Sequence, residues 1–369
     1  MPELDWHVCG ATPTVRTPFF TDTELADVRR WYAAAGQPVT PLRELPGRAA
    51  ELGLGALYVK DETSRQGLPA FKIAGAQYAI ARLMENPRPP TVLACATAGN
   101  HGQAVARAGR EHGLEVQVYV PIGTLPAAVE AIRAEGAHVV VTSWDYDQTV
   151  RIMASDAAES GWTVVSDTGW SGYEEIPRAI MAGYTRILDE AAAEWPVTPD
   201  AIVVQAGVGS LAGAVAGWLQ ATPACRARLA IAEPVGSACV LASLRAGHRV
   251  TLSDCAPTEM AGLRCAAVSP VAWPPLQAVA RAAVAVPDTA VAAARSRLTH
   301  PTDRDPSIPA GPSGACGLAA VDAIMRRPEL EEVRATLALG PGSRVLIVVT
   351  EGVAIRQATP HAERSAEVV

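Results

Sequence analysis

The cysteines of this chain offer no pairing pattern. There are seven (Cys9, Cys95, Cys225, Cys239, Cys255, Cys265, Cys316), an odd number, and no CxxC occurs. That excludes a disulfide framework and the usual zinc-ligand spacings. They read as small buried hydrophobes of a reducing compartment. Lysine and arginine nowhere cluster with interleaved aromatics, and the net charge is −7, with 31 basic against 38 acidic residues. The electrostatic footprint of a nucleic-acid binder is missing. The opening MPELDWHVCG has no basic segment followed by an apolar one, so no secretory signal is expected. Internal repeats and low-complexity tracts are absent. One uncharged run, AIVVQAGVGSLAGAVAGWLQA (201–221), is long enough to cross a bilayer. Its glycines (Gly207, Gly209, Gly213, Gly217) and the polar Gln205 and Ser210 make it a poor membrane helix. It reads instead as a buried strand, a glycine loop and a helix. The expectation is a cytoplasmic protein with neither nucleic-acid nor membrane partners.

With 369 residues, 49% of them hydrophobic and 19% charged, the chain can build a large core, and two domains are the default. Short apolar runs alternate with alanine-rich helical patterns: ALYVK (56–60), TVLACAT (91–97), EVQVYVP (115–121), HVVVT (138–142), WTVVSDT (162–168), AIVVQAG (201–207), LAIAEP (229–234) and RVLIVVTEG (344–352). That alternation predicts an α/β protein with mostly parallel sheets. Proline-rich punctuation at 85–90 and 194–200 brackets a block with four of these strands. The expected division is a large domain, residues 1–84 and 169–369, with a small α/β domain, 85–168, inserted in it. The stretch HPTDRDPSIPAGPSG (300–314) is too long for a plain connection and is expected over a site. The polar tail after Gln357 is expected to fray.

Three stretches carry chemistry. In LPAFKIAGAQYAIARLM (68–84), Ile73, Ala76, Ile80 and Leu83 recur at helical spacing, which puts Lys72 in the first turn of a helix with a buried face. A cation there opposes the helix dipole by a few tenths to about 1 kcal/mol when exposed, and by more when desolvated. A lysine snorkelling to the surface is the ordinary alternative. In QAGVGSLAG (205–213) a strand runs into glycines and then a helix, so backbone N–H groups converge where a phosphate fits. The loop has neither the Lys-Ser/Thr of a Walker motif nor the full dinucleotide spacing, and tight packing alone also explains such glycines. ATAGNHGQAVA (96–106) has the same form and places Asn100 at a sheet edge, where α/β proteins bind ligands; helix capping is its alternative role. His101 is as readily a structural histidine, and Asp167 in SDTGWSGYEEIP (166–177) a turn or helix cap. A lysine, a phosphate cradle and a strand-end asparagine together suit a cofactor held as a Schiff base.

On VKDETSRQGLPAFKIAGAQYA, ATAGNHGQAVA, DTGWSGYEEIP, QAGVGSLAGAV, AEPVGSACVLAS, TEMAGLRC, SPVAWPPL and GPSGACGL, in that order, the chain resembles the fold type II pyridoxal phosphate enzymes, and within them the diaminopropionate ammonia-lyases. The resemblance implies two open twisted, mostly parallel sheet domains flanked by helices, with pyridoxal 5'-phosphate as cofactor. It implies that Lys72 carries the cofactor and exchanges protons with the substrate. Gly207, Val208, Gly209, Ser210 and Leu211 would hold the phosphate, Asn100 the ring hydroxyl and Thr350 the pyridine nitrogen. Thr97, Ala98, Gly99 and His101 would receive the carboxylate of a small amino-acid substrate. Asp167 would bind or protonate a leaving β-amine. The implied reaction is α,β-elimination on a 2,3-diaminopropionate-like amino acid, giving aminoacrylate and then pyruvate and ammonia. Relatives of this fold imply a homodimer.

The chain departs from that family at Ala98, where an aspartate usually precedes the Gly-Asn-His-Gly turn, and after its TEG (350–352), where VAIRQ follows in place of polar or acidic residues. The first departure bears on a D-enantiomer and on diamino acids. It leaves β-replacement, or loss of another β-substituent, as the alternative reaction. A catalytically silent relative is a further alternative that the retained lysine, asparagine, glycine loop and threonine oppose.

Overall fold

A computed structural model describes residues 4–10, 17–97, 99–301 and 304–353. Ala98, the segment after TEG from residue 354 onward and the polar tail lie outside the described residues. The strands are β1 (Asp5–Val8), β2 (Leu42–Glu44), β3 (Ala56–Asp61), β4 (Val92–Ala96), β5 (Glu115–Val120), β6 (His138–Val141), β7 (Thr163–Val164), β8 (Ala201–Gln205), β9 (Arg228–Pro234), β10 (Ala280–Val286) and β11 (Arg344–Val349). They form a seven-stranded sheet, β1-β10-β9-β8-β11-β3-β2, and a four-stranded sheet, β6-β5-β4-β7. The pairs within the second sheet are all parallel, and in the first only the edge strands β1 and β2 run antiparallel. The α/β expectation holds.

The central strands explain why they read as unbroken apolar runs. Along β11, Leu346 and Val348 face one hydrophobic cluster, while Val345, Ile347 and Val349 face the other; Ile202 and Val204 of β8 divide from Ala201 and Val203 in the same way. Both faces are buried, so no polar alternation survives. Helices Ile73–Met84, Glu175–Glu194 and Ser210–Ala221 cover one face, and helix Pro312–Arg326 the other. Registers such as Val349↔Asp61 and Gln205↔Ala232 bring the C-terminal ends of β3, β11, β8 and β9 to a common edge. Ligands bind at such an edge in open α/β sheets.

Helix Ile73–Met84 is not simply amphipathic, because every residue from Ile73 to Ala81 is buried. Its close seat on helix Glu175–Glu194 depends on two glycines. A Cβ on Gly75 would come within 2.5 Å of Tyr184 and 2.8 Å of the Ile180 carbonyl, and one on Gly183 within 2.5 Å of the Ala74 carbonyl. Backbone cannot yield there as a side-chain tip could. Gly75→Ala or Gly183→Ala is therefore expected to destabilise the protein by about 1–3 kcal/mol through overpacking, read as a lower denaturant midpoint. An unchanged midpoint would mean that the helices separate without cost.

Candidate active site

The chain has two lysines, Lys60 and Lys72. Lys60 is fully buried, 2.8 Å from the Glu190 carboxylate and bonded to the Thr40 carbonyl. Lys72 precedes helix Ile73–Met84 as its N-cap residue, in αR conformation. Its side chain is 22% exposed and pairs with the Asp167 carboxylate. It does not snorkel. Asp167 lies three residues beyond β7, a shorter strand than WTVVSDT suggests, because pairing with β4 covers only Thr163 and Val164. Asp167 is no helix cap; its carboxylate goes to the ammonium.

Electrostatics follow from that pairing. Burial by itself lowers the Lys72 pKa, but the Asp167 carboxylate outweighs it and holds the ammonium above its ordinary value. Burial likewise opposes ionisation of Asp167, and the Lys72 charge overrides it and holds the carboxyl well below the usual range. Asp167 is a carboxylate at neutral pH. His101 is buried, and burial lowers its pKa. Its Nε2 lies 2.9 Å from the Val165 carbonyl, which can only accept, so Nε2 carries the proton and Nδ1 is left as an acceptor without a partner among the described residues.

The glycine loop after β8 adjoins this pair. The Ser210 hydroxyl donates to the Asp167 carbonyl. The Val208 carbonyl accepts from the Ser269 amide at 2.8 Å. Gly209 has φ +89° and caps helix Ser210–Ala221 without a side-chain bond, so the first-turn amides, including those of Ser210 and the buried Leu211, have no intrahelical acceptor. A Cβ on Gly207 would lie 2.9 Å from the Gly262 carbonyl, and one on Gly209 3.0 Å from Leu276. Both positions need glycine, and within the loop the Val208 amide reaches the Cys265 sulfur.

Helix Asn100–Glu111 also begins without a side-chain cap. Asn100 is not the cap; its Nδ2 donates to Glu351 at 2.9 Å. Gly99 is the N-cap residue, and its amide donates to the Thr97 hydroxyl at 3.2 Å. Thr350 follows β11, its carbonyl accepting from the Phe71 amide at 3.2 Å and its hydroxyl oxygen from Gln205 Nε2 at 2.7 Å. The residue before Lys72 is thus tied to the end of β11. Three groups were not singled out from sequence: Glu351, Gln205 and Tyr184. Burial raises the Glu351 pKa, and its carboxylate accepts from Asn100 and from the Ser313 amide. Tyr184, buried on helix Glu175–Glu194, is close enough to Lys72 to feel its charge. Glu351 and Gln205 stood inside quoted motifs, but only the fold supplies their partners.

A family model described as "Pyridoxal-phosphate dependent enzyme" matches residues 34–351. The chain is 35% identical over 358 residues to the diaminopropionate ammonia-lyase of Escherichia coli strain K12, covering 91% of this chain and 90% of that protein. With the diaminopropionate ammonia-lyase of Salmonella typhimurium strain LT2 it shares 32% identity over 345 residues, 85% of each. A crystal structure of the Escherichia coli enzyme in complex with an aminoacrylate-PLP azomethine reaction intermediate matches with a TM-score of 0.87 at 34% identity, covering 96% of this chain and 95% of that one.

The ion pair makes a pH prediction. Because the Asp167 pKa is depressed on folding, its contribution to stability is present above its ordinary value of 3.8 and is lost as pH falls toward the lower folded value. In the protein without bound ligand, Lys72→Ala removes the depressing charge and leaves burial, so the Asp167 carboxyl should titrate above 3.8 and that acid-side loss should vanish. A ¹³C NMR titration of the carboxyl reads this directly. An unmoved pKa would mean that Lys72 does not set it.

Proposed function

Because this chain belongs to the pyridoxal-phosphate-dependent enzymes, we propose that it is a lyase performing α,β-elimination on 2,3-diaminopropionate or a close β-substituted analogue, releasing aminoacrylate that hydrolyses to pyruvate and ammonia. The observation that carries this reading is the Lys72–Asp167 pair beside the glycine loop at the strand ends. The residues present fit the cofactor. Lys72 is a part-exposed amine with Asp167 as its one ion-pair partner among the described residues, whereas Lys60 is fully buried and locked between Glu190 and Thr40. The amides after Gly207 and Gly209 suit a phosphate, and the Thr350 hydroxyl retains a proton to donate.

In this reading Lys72 anchors the aldehyde, and Gly207, Val208, Gly209, Ser210 and Leu211 bind the phosphate. Asn100, oriented by Glu351, bonds the ring hydroxyl, and Thr350 faces the ring nitrogen. Pyridoxal phosphate, when bound, supplies the electron sink that acidifies the Cα–H of an attached amino acid. Lys72 Nζ takes that proton as the neutral amine, the form it would have once the substrate amine has replaced it on the cofactor. The uncapped N-terminus of helix Asn100–Glu111, with Thr97, Ala98, Gly99 and His101, receives the substrate carboxylate. Asp167, ionised, holds the substrate β-ammonium as an ion pair, so the leaving amine departs with its own protons. The division into a large unit (1–84 and 169–369) and an inserted one (85–168) belongs to the same proposal, supported by the four strands of the second sheet falling between Val92 and Val164. So do a homodimer and a cytoplasmic location, which rest on the family resemblance and on the scattered cysteines.

Incubation with L- and then D-2,3-diaminopropionate tests the reading. It predicts pyruvate together with twice as much ammonia, and no pyruvate from either isomer would refute it. Asp167→Asn should lower kcat/KM about a hundredfold for the diamino acid, and less for an analogue with a leaving group that carries no charge. Equal slowing would reduce Asp167 to a structural part. Ala98→Asp is expected to raise turnover of the D-isomer, with no gain meaning that the aspartate of the relatives is not the missing contact.

A further inference from the structure

Gln205, the last residue of β8, is 2% exposed, and its amide nitrogen lies 2.7 Å from Thr350 Oγ1, 3.0 Å from the carbonyls of Ser313 and Val348, and 3.4 Å from that of Gly314. Turning the amide over would press its oxygen against three carbonyl oxygens, so the nitrogen is fixed on that side. Its oxygen has no hydrogen-bond partner among the described residues. It faces Gly317, where a Cβ would stand only 3.3 Å away. Gln205 can thus only donate to Thr350. The Thr350 hydroxyl, buried and held as an acceptor on one side, keeps its own proton for another group, and no described protein group takes it.

We infer that Gln205 is a positioning residue that fixes the direction of the Thr350 hydroxyl proton, so that Thr350 presents a donor to the ring nitrogen of the bound cofactor and keeps that nitrogen unprotonated. This rests on the reading that Thr350 faces the ring nitrogen. A donor there disfavours a pyridinium, because two donors would oppose one another. An unprotonated ring limits carbanion build-up and suits elimination over transamination. Without Gln205, the Thr350 proton turns to the vacated carbonyl of Val348 or Ser313, and its lone pair faces the ring.

The test is ¹⁵N NMR of protein loaded with ring-¹⁵N pyridoxal 5'-phosphate, for the parent, Gln205→Met and Thr350→Val. The parent should show an unprotonated ring nitrogen. Gln205→Met should move the resonance toward the pyridinium position and weaken cofactor binding by the apoprotein about tenfold, the equivalent of one neutral hydrogen bond. If Thr350→Val shifts the resonance while Gln205→Met leaves it in place, the inference fails and the placement of Thr350 stands. If Thr350→Val leaves it in place, the placement itself fails. A pyridinium in the parent overturns the inference outright. Should Gln205→Met not show a folded melting transition, Gln205→Asn, which withdraws the same donor by one methylene, is expected to move the resonance the same way, and an unmoved one counts against Gln205.

Discussion

The ion pair between Lys72 and Asp167 joins the two sheets at the point where the rest of the site converges. Lys72 stands at the start of helix Ile73–Met84, which covers the seven-stranded sheet, and Asp167 follows β7, an edge of the four-stranded sheet. Neither charge is favourable alone. Burial penalises both, and the helix dipole opposes a cation at that end. Together they compensate, as a partly buried pair must, and loss of either leaves the other without its partner. A lysine held in this way is fixed beside the glycine loop through the bond from Ser210 to the Asp167 carbonyl.

The segment that delivers Lys72 is fixed by its own buried charges. Arg65 bridges Glu62 and Glu190 at 2.7 Å each, Lys60 meets Glu190 at 2.8 Å, and the Thr40 hydroxyl bonds Glu62 at 2.6 Å. With Arg186 also on Glu190 at 2.6 Å, three cations surround two anions, and the network locks the loop after β3 to helix Glu175–Glu194. The same helix receives Gly75 through Gly183, so the residues on both sides of Lys72 are seated against one element. This also separates the two lysines: one completes the scaffold, and the other is the one the proposed chemistry uses.

Much of this was legible in the sequence because it is local. Eight continuous apolar runs marked β3 to β9 and β11 within a few residues, most clearly the central strands buried on both faces, while β6 is an apolar run that lies largely exposed at a sheet edge. Edge strands β1 and β2 are only four and three residues long, and β10 (ARAAVAV) is mostly alanine, a helix former; tertiary pairing with β9 overrides that propensity. Lys72 and the glycine loop announced themselves by residue type and flanking pattern. The partners that give them direction did not. Gln205 reaches Thr350 only because β8 and β11 are neighbours, Glu351 reaches Asn100 across 251 positions, and Tyr184 meets Lys72 through a helix packing set by glycines. Long-range pairing leaves no trace in local periodicity.

The central claim is that Lys72 is the residue that carries the cofactor, and the two-lysine composition makes a decisive measurement simple. Borohydride reduction of the holoenzyme followed by proteolysis and mass spectrometry should place a phosphopyridoxyl group on Lys72 and leave Lys60 unmodified. Modification of Lys60, or recovery of Lys72 without the label, would contradict the account.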